Sequence, residues 1–128
     1  MTEYRLANGA DDYNRAYKLM RAEGIEDELA FPTVMAIKDG QLTGFISTHI
    51  SNDMIVAGPM VIRSGARRYW TLIRLIEHYE NVMRSIGITS YIFSIDANDE
   101  KWTADIKELY GVDPYAEQEG RKFFVRNI

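Results

Sequence analysis

One amphipathic stripe between two apolar runs constrains this chain most. Leu72, Leu75, Ile76, Tyr79, Val82, Met83 and Ile86 recur at helical spacing in a segment running from about Arg67 to Gly87. Met54–Ile62 before it and Tyr91–Ile95 after it read as strands. Strand, helix and strand in that order make a βαβ crossover. Four arginines, Arg63, Arg67, Arg68 and Arg74, stand at the front of the helix. A helix start offers unpaired N–H groups and the positive end of the dipole, which together hold anions. Exposed cations there cost on the order of 0.3–1 kcal/mol each, a cost that an anionic ligand would offset. The competing reading is a solvated basic rim paired with Glu77 or Glu80.

Upstream, two turn signals organise a meander. Asp39-Gly40 joins a strand over Thr33–Lys38 to one over Gln41–Ser51, and Asn52-Asp53 joins that strand to Met54–Ile62. Gly58-Pro59 interrupts the third strand and predicts a bulge or a splay, since proline cannot donate to a ladder. A first strand is expected at Tyr4–Leu6. A helix capped by Asp11 or Asp12 should follow, running to about Glu23 and closed by Gly24. Ile25–Ala30 reads as a short second helix stopped by Phe31-Pro32. After Tyr91–Ile95, Asp96–Asp99 supplies a loop and cap, Glu100–Tyr110 a helix ended by Gly111, and the tail a hairpin about Glu119-Gly120 with Lys122–Arg126 as last strand. The fold class is mixed α/β (α+β): an antiparallel meander, a βαβ crossover and a C-terminal hairpin, in a single domain over residues 1–128.

Composition narrows the function. A net charge of −4 argues against broad coating of nucleic acid. With no cysteine there is no disulfide frame, thiolate metal site or cysteine nucleophile, and two distant histidines speak against a metal site. No apolar run reaches the roughly 20 residues of a membrane span. Met1–Arg5 lacks the order of a signal peptide, so a cytoplasmic protein is expected.

Three local pieces carry a resemblance. They are Lys38-Asp39-Gly40-Gln41-Leu42-Thr43-Gly44-Phe45-Ile46, the Ile62-to-Gly87 interval, and Leu109-Tyr110-Gly111-Val112 followed by Tyr115 and Gly120-Arg121-Lys122-Phe123-Phe124-Val125. In order and spacing they resemble the GNAT superfamily, the Gcn5-related N-acetyltransferases, over nearly the whole chain. More weakly, the chain resembles acetyltransferase-like proteins of tailed bacteriophages, which would place it in the host cytoplasm. The resemblance implies acetyl-CoA as the donor, no metal, and cofactor contacts from Met60, Val61, Ile62, Arg67, Arg68, Tyr69, Trp70, Thr71 and Asn98. It implies a small-molecule or protein amine as acceptor, and a homodimer as an expected assembly. Two departures stand out. The family's pyrophosphate loop reads Arg/Gln-x-x-Gly-x-Gly/Ala, and from Arg67 its glycines fall on Trp70 and Leu72, so the loop is degenerate. The family's tyrosine acid falls on Lys107, with Tyr110 next to the helix-ending glycine instead.

Acetyl transfer to an amine needs a base, a backbone donor for the thioester carbonyl, and an acid for the thiolate. His49, Asp53 and Glu77 are candidate bases. Val56–Met60 supplies the backbone donor by analogy with the fold. Tyr110 is the candidate acid, with Tyr115 behind it. The bland readings are a half-exposed strand residue for His49 and core packing for Tyr110. The acidic run Glu23, Glu26, Asp27 and Glu28 hints at a cationic acceptor. Three functions stay open: an acetyl-CoA-dependent N-acetyltransferase, a non-catalytic protein-binding module on the same scaffold, and a nucleotide or RNA-end binder in which Trp70 stacks on bases.

Overall fold

The computed structural model describes residues 1–66 and 68–128; Arg67 and the side chain of Arg68 lie outside the described residues. Seven strands form one sheet. They are β1 (Thr2–Leu6), β2 (Val34–Lys38), β3 (Gln41–Ser51), β4 (Met54–Ile62), β5 (Ser90–Asp96), β6 (Ala116–Gln118) and β7 (Arg121–Asn127), in the spatial order β1-β2-β3-β4-β5-β7-β6. Among the described residues three helices complete it: α1 (Gly9–Ala22), α2 (Arg68–Ser85) and α3 (Glu100–Tyr110). All strand pairs are antiparallel except β4 and β5, which the α2 crossover makes parallel. Among the described residues no helix is long and apolar enough to cross a membrane.

Local chemistry sets the corners. Asp39-Gly40, Asn52-Asp53 and Glu119-Gly120 all take positive φ at both positions, as a two-residue hairpin turn requires. Helix α2 ends in a Schellman arrangement: the Ile88 N–H reaches the Met83 carbonyl at 2.9 Å and the Gly87 N–H reaches Arg84 at 3.1 Å. Helix α3 is capped by Asp99, which accepts from the Trp102 N–H at 3.0 Å, and it ends on Gly111 in the left-handed region.

Period-2 alternation splits the sheet's two faces. Val34, Ala36 and Ile46 pack with Leu75, Ile76, Tyr79 and Met83 of α2 and Ile106 of α3. Met35, Ile37 and Phe45 pack with Ala16, Leu19 and Met20 of α1. Gly44 lies where α2 and β4 close on β3. A Cβ there would stand 2.6 Å from Ile62 Cδ1 and 2.9 Å from the Val61 carbonyl oxygen.

Three expectations change. Ile25–Ala30 is not helical. A six-residue piece before a proline cannot repay helix nucleation. Its amides find side chains instead, Leu29 N–H on the Tyr17 hydroxyl at 3.0 Å and Ala30 N–H on Ser47 Oγ at 3.1 Å. The N-cap position of α1 is Asn8, whose side chain makes no capping bond, rather than Asp11 or Asp12. The Asp12 carboxylate turns back to accept from the Asn8 N–H at 2.8 Å and from Arg5 at 2.6 and 3.0 Å. Ile86, the last member of the α2 stripe, is 45% exposed, because the helix has ended and its N–H already bonds back to Val82.

Candidate active-site cleft

The central sheet is unzipped along one seam. β4 and β5 share a single paired position, Val56 with Ile92. On the other side of β4, the register with β3 slips between Ile46↔Met60 and Thr48↔Ala57. Two residues of β4, Gly58 and Pro59, therefore face Ser47 alone, a bulge that bends the strand. Gly58 holds φ 149° there, a conformation that a side chain would strain. The expected interruption at Gly58-Pro59 is thus a real bulge, and the strands part at it.

The parting opens a cleft of about 580 Å³. Val56, Ala57, Gly58, Pro59 and Met60 form its β4 wall, continued by Ile62 and by Leu72 from α2. Ser94, Ile95 and Asp96 of β5 stand opposite, with Asp99 and Trp102 from the start of α3, Arg121 from β7, and Ile25 and Asp27 from the loop after α1. The inner wall is apolar and the mouth carries three carboxylates. Arg121 spans β7 to β5, donating to Ser94 Oγ at 2.7 Å and to the Ser94 carbonyl at 3.1 Å. His49 faces the cleft from β3, with Nδ1 3.4 Å from the Gly58 carbonyl oxygen. Among the described residues no three His, Cys, Asp or Glu side chains are placed to share a metal ion.

A second, much smaller hollow of about 10 Å³ adjoins the cleft. It shares Ala57, Met60 and Trp102 with the cleft and adds Tyr79, Tyr91, Phe93, Ile106 and Tyr110. The Arg126 guanidinium sits 4.2 Å above the Tyr110 ring. Burial, and then the negative Glu80, push the Tyr110 phenol up to about 12, so it stays protonated through neutral pH.

The expected site residues scatter accordingly. His49, Met60 and Ile62 line the cleft. Val61 points to the opposite face and is buried beneath α1, as strand alternation dictates. Thr71 is buried at the start of α2, whereas Asn98 is exposed in the turn between β5 and α3. Asp53 is exposed at the tip of the β3–β4 hairpin, outside the cleft lining. Glu77 is exposed and paired with Arg74 at 3.2 Å. Tyr115 is exposed and its backbone closes onto Phe123. Lys107 pairs with Asp113. Arg63 is already engaged, donating to the Leu42 carbonyl at 2.7 and 2.9 Å. Arg67 and the Arg68 side chain lie outside the described residues.

Sequence reasoning missed Ser94, Arg121, Asp96 and Asp99 as cleft residues. The available signal was Ser94, one polar position within the apolar run Tyr91–Ile95.

No family profile matches the sequence, and no curated protein matches it. Solved structures do match in shape. The diaminobutyrate acetyltransferase of Paenibacillus lautus, in complex with L-2,4-diaminobutyric acid and coenzyme A, superposes with a TM-score of 0.74 at 17% identity, over 99% of this chain and 95% of that one. An acyl-CoA N-acyltransferase from Pseudomonas aeruginosa gives 0.76 at 17% identity, over 98% and 99%. An N-acetyltransferase of Thermoplasma acidophilum in complex with coenzyme A gives 0.75 at 14% identity, over 100% and 99%. Identities this low show the fold alone, and the fold is the one these acetyltransferases share.

Proposed function

We propose that this chain is a GNAT-type N-acetyltransferase that moves an acetyl group from acetyl-CoA to a primary amine. The observation that carries this reading is the parting of β4 from β5 at the Gly58-Pro59 bulge, which makes a donor-sized cleft in the middle of the sheet. Its apolar wall of Val56, Ala57, Met60, Ile62 and Leu72 suits a pantetheine arm. Helix α2 begins with no acidic residue in its first turn, and its positive dipole end suits phosphates. Trp70, at the first glycine position of the degenerate loop, is 60% exposed and is not part of the cleft wall.

The residues divide the work. His49 takes the proton that the acceptor ammonium must lose. The amine then attacks the thioester carbonyl carbon, forming the C–N bond. The register gives Gly58 no strand partner, so its N–H is the candidate donor to the developing oxyanion; Pro59 has no N–H to offer. As the C–S bond breaks, the nitrogen sheds its second proton and the thiolate takes one up; Tyr110, in the adjoining hollow that shares Met60 and Trp102 with the cleft, is the candidate acid for that transfer. Asp27, Asp96 and Asp99 at the mouth favour a cationic acceptor, and the diaminobutyrate carried by one structural neighbour is such an amine.

An open, partly polar cleft at this place supports the transferase over a protein-binding module, which would present an apolar patch there. The test is a thermal titration. Acetyl-CoA at a hundredfold above its dissociation constant should stabilise the protein by about 2.7 kcal/mol. No shift at millimolar acetyl-CoA or free CoA would overturn the reading.

A further inference from the structure

Trp70, which stands where the family's loop has its first glycine, belongs to a run of aromatic rings. Tyr69 meets Trp70 edge-to-face at 5.5 Å and meets Trp102 edge-to-face at 6.2 Å. The three rings bridge the first turn of α2 to the first turn of α3. Their inner end, Trp102, is part of the cleft wall. Their outer end is open, with Tyr69 38% and Trp70 60% exposed. An aromatic run that starts inside the cleft and ends in solvent beside an anion-favouring helix start matches a ligand with an apolar arm, a phosphate centre and a planar terminal ring.

We propose that the Trp102–Tyr69–Trp70 run is a stacking shelf, with Trp70 taking the adenine ring of the donor on its exposed face. This rests on the acetyl-CoA reading above and adds to it a subsite. Backbone glycines let a pyrophosphate approach closely; this chain offers an indole face to the base at the far end instead. The edge-to-face contacts fix Tyr69 and restrict Trp70, so little side-chain freedom remains to be lost on binding.

Calorimetry with two probes separates this proposal from the reading beneath it. Coenzyme A carries the adenine nucleotide; S-acetylpantetheine carries only the arm and the thioester. Trp70→Ala should weaken coenzyme A about tenfold, as loss of one stacked base predicts, and leave S-acetylpantetheine within twofold. Trp70→Phe should recover part of the loss, and adenosine 3′,5′-bisphosphate should compete with coenzyme A for the wild-type protein. Because Trp70 is mostly exposed, an unchanged melting temperature should accompany the substitution. A Trp70→Ala protein that binds coenzyme A within twofold of wild type, or that loses both probes equally, overturns the shelf while leaving the transferase standing. A wild-type protein that binds neither probe overturns the transferase reading and the shelf with it.

Discussion

At Asp12 one carboxylate takes two N–H bonds from Arg5 and a third from the Asn8 backbone. The Arg5 bonds, aided by Asn8, hold its pKa down at about 2, below the ordinary 3.8. A group depressed on folding stabilises above its unfolded pKa and loses that contribution as pH falls through the folded one. Asp12→Asn should therefore cost about 1.5–3 kcal/mol in urea unfolding at pH 7. The cost should shrink between pH 4 and pH 2; a pH-independent cost would show that charge is not its source. His49 is the residue on which the proposed chemistry depends most. His49→Gln should lower kcat by about 10²-fold while acetyl-CoA affinity stays within twofold. A change in KM alone would mark His49 as a wall residue. Neither pairing was visible in the sequence. Asp12 read as a helix cap, and the rival bases Asp53 and Glu77 looked as good as His49 until the sheet placed only His49 on the cleft.

At the scale of elements, the glycine within Leu42-Thr43-Gly44-Phe45 has a mechanical explanation. Gly44 pairs with Ile62 of β4 while Leu75 of α2 comes down beside it, and a Cβ would collide with the Val61 backbone oxygen. Backbone cannot swing aside as a side-chain tip can. Gly44→Ala should thus cost about 1–3 kcal/mol in chemical denaturation, as overpacking does. A neutral result would mean that β4 slides freely against β3. Turn chemistry was legible because it is local: Asp39-Gly40, Asn52-Asp53 and Glu119-Gly120 each require positive φ and form hairpins. The segment Ile25–Ala30 was misread for the opposite reason. Its conformation is set by Tyr17 and Ser47, 12 and 17 residues away from the groups they satisfy.

Across the whole molecule, one buried ion pair ties the crossover helix to the closing hairpin. Glu80 of α2 accepts from Arg126 of β7 at 2.8 and 3.1 Å and from the Tyr91 hydroxyl of β5 at 2.6 Å. Its side chain is 5% exposed, and burial with the adjacent carboxylate drives the Tyr91 phenol above its usual range. Arg126→Met should cost about 3 kcal/mol by leaving the buried Glu80 charge with only the more distant Arg84 guanidinium at 3.8 Å, and the double variant with Glu80→Leu should recover much of that. Equal losses in the single and double variants would show that packing rather than charge pairing holds these elements. Glu80 stands within the apolar stripe of α2, yet nothing near it in the chain announces a partner 46 residues on. The sequence alone determined the strands and the three long helices, their order, the hairpin turns and the place where β4 must break, because periodicity, turn dihedrals and proline's missing N–H act over a few residues; the loop at Ile25–Ala30 it misassigned. Tertiary structure decided which side chains share the cleft, which arginines are already engaged and which acid is buried. Those outcomes depend on strand order and register, and they bring together residues that no local rule connects.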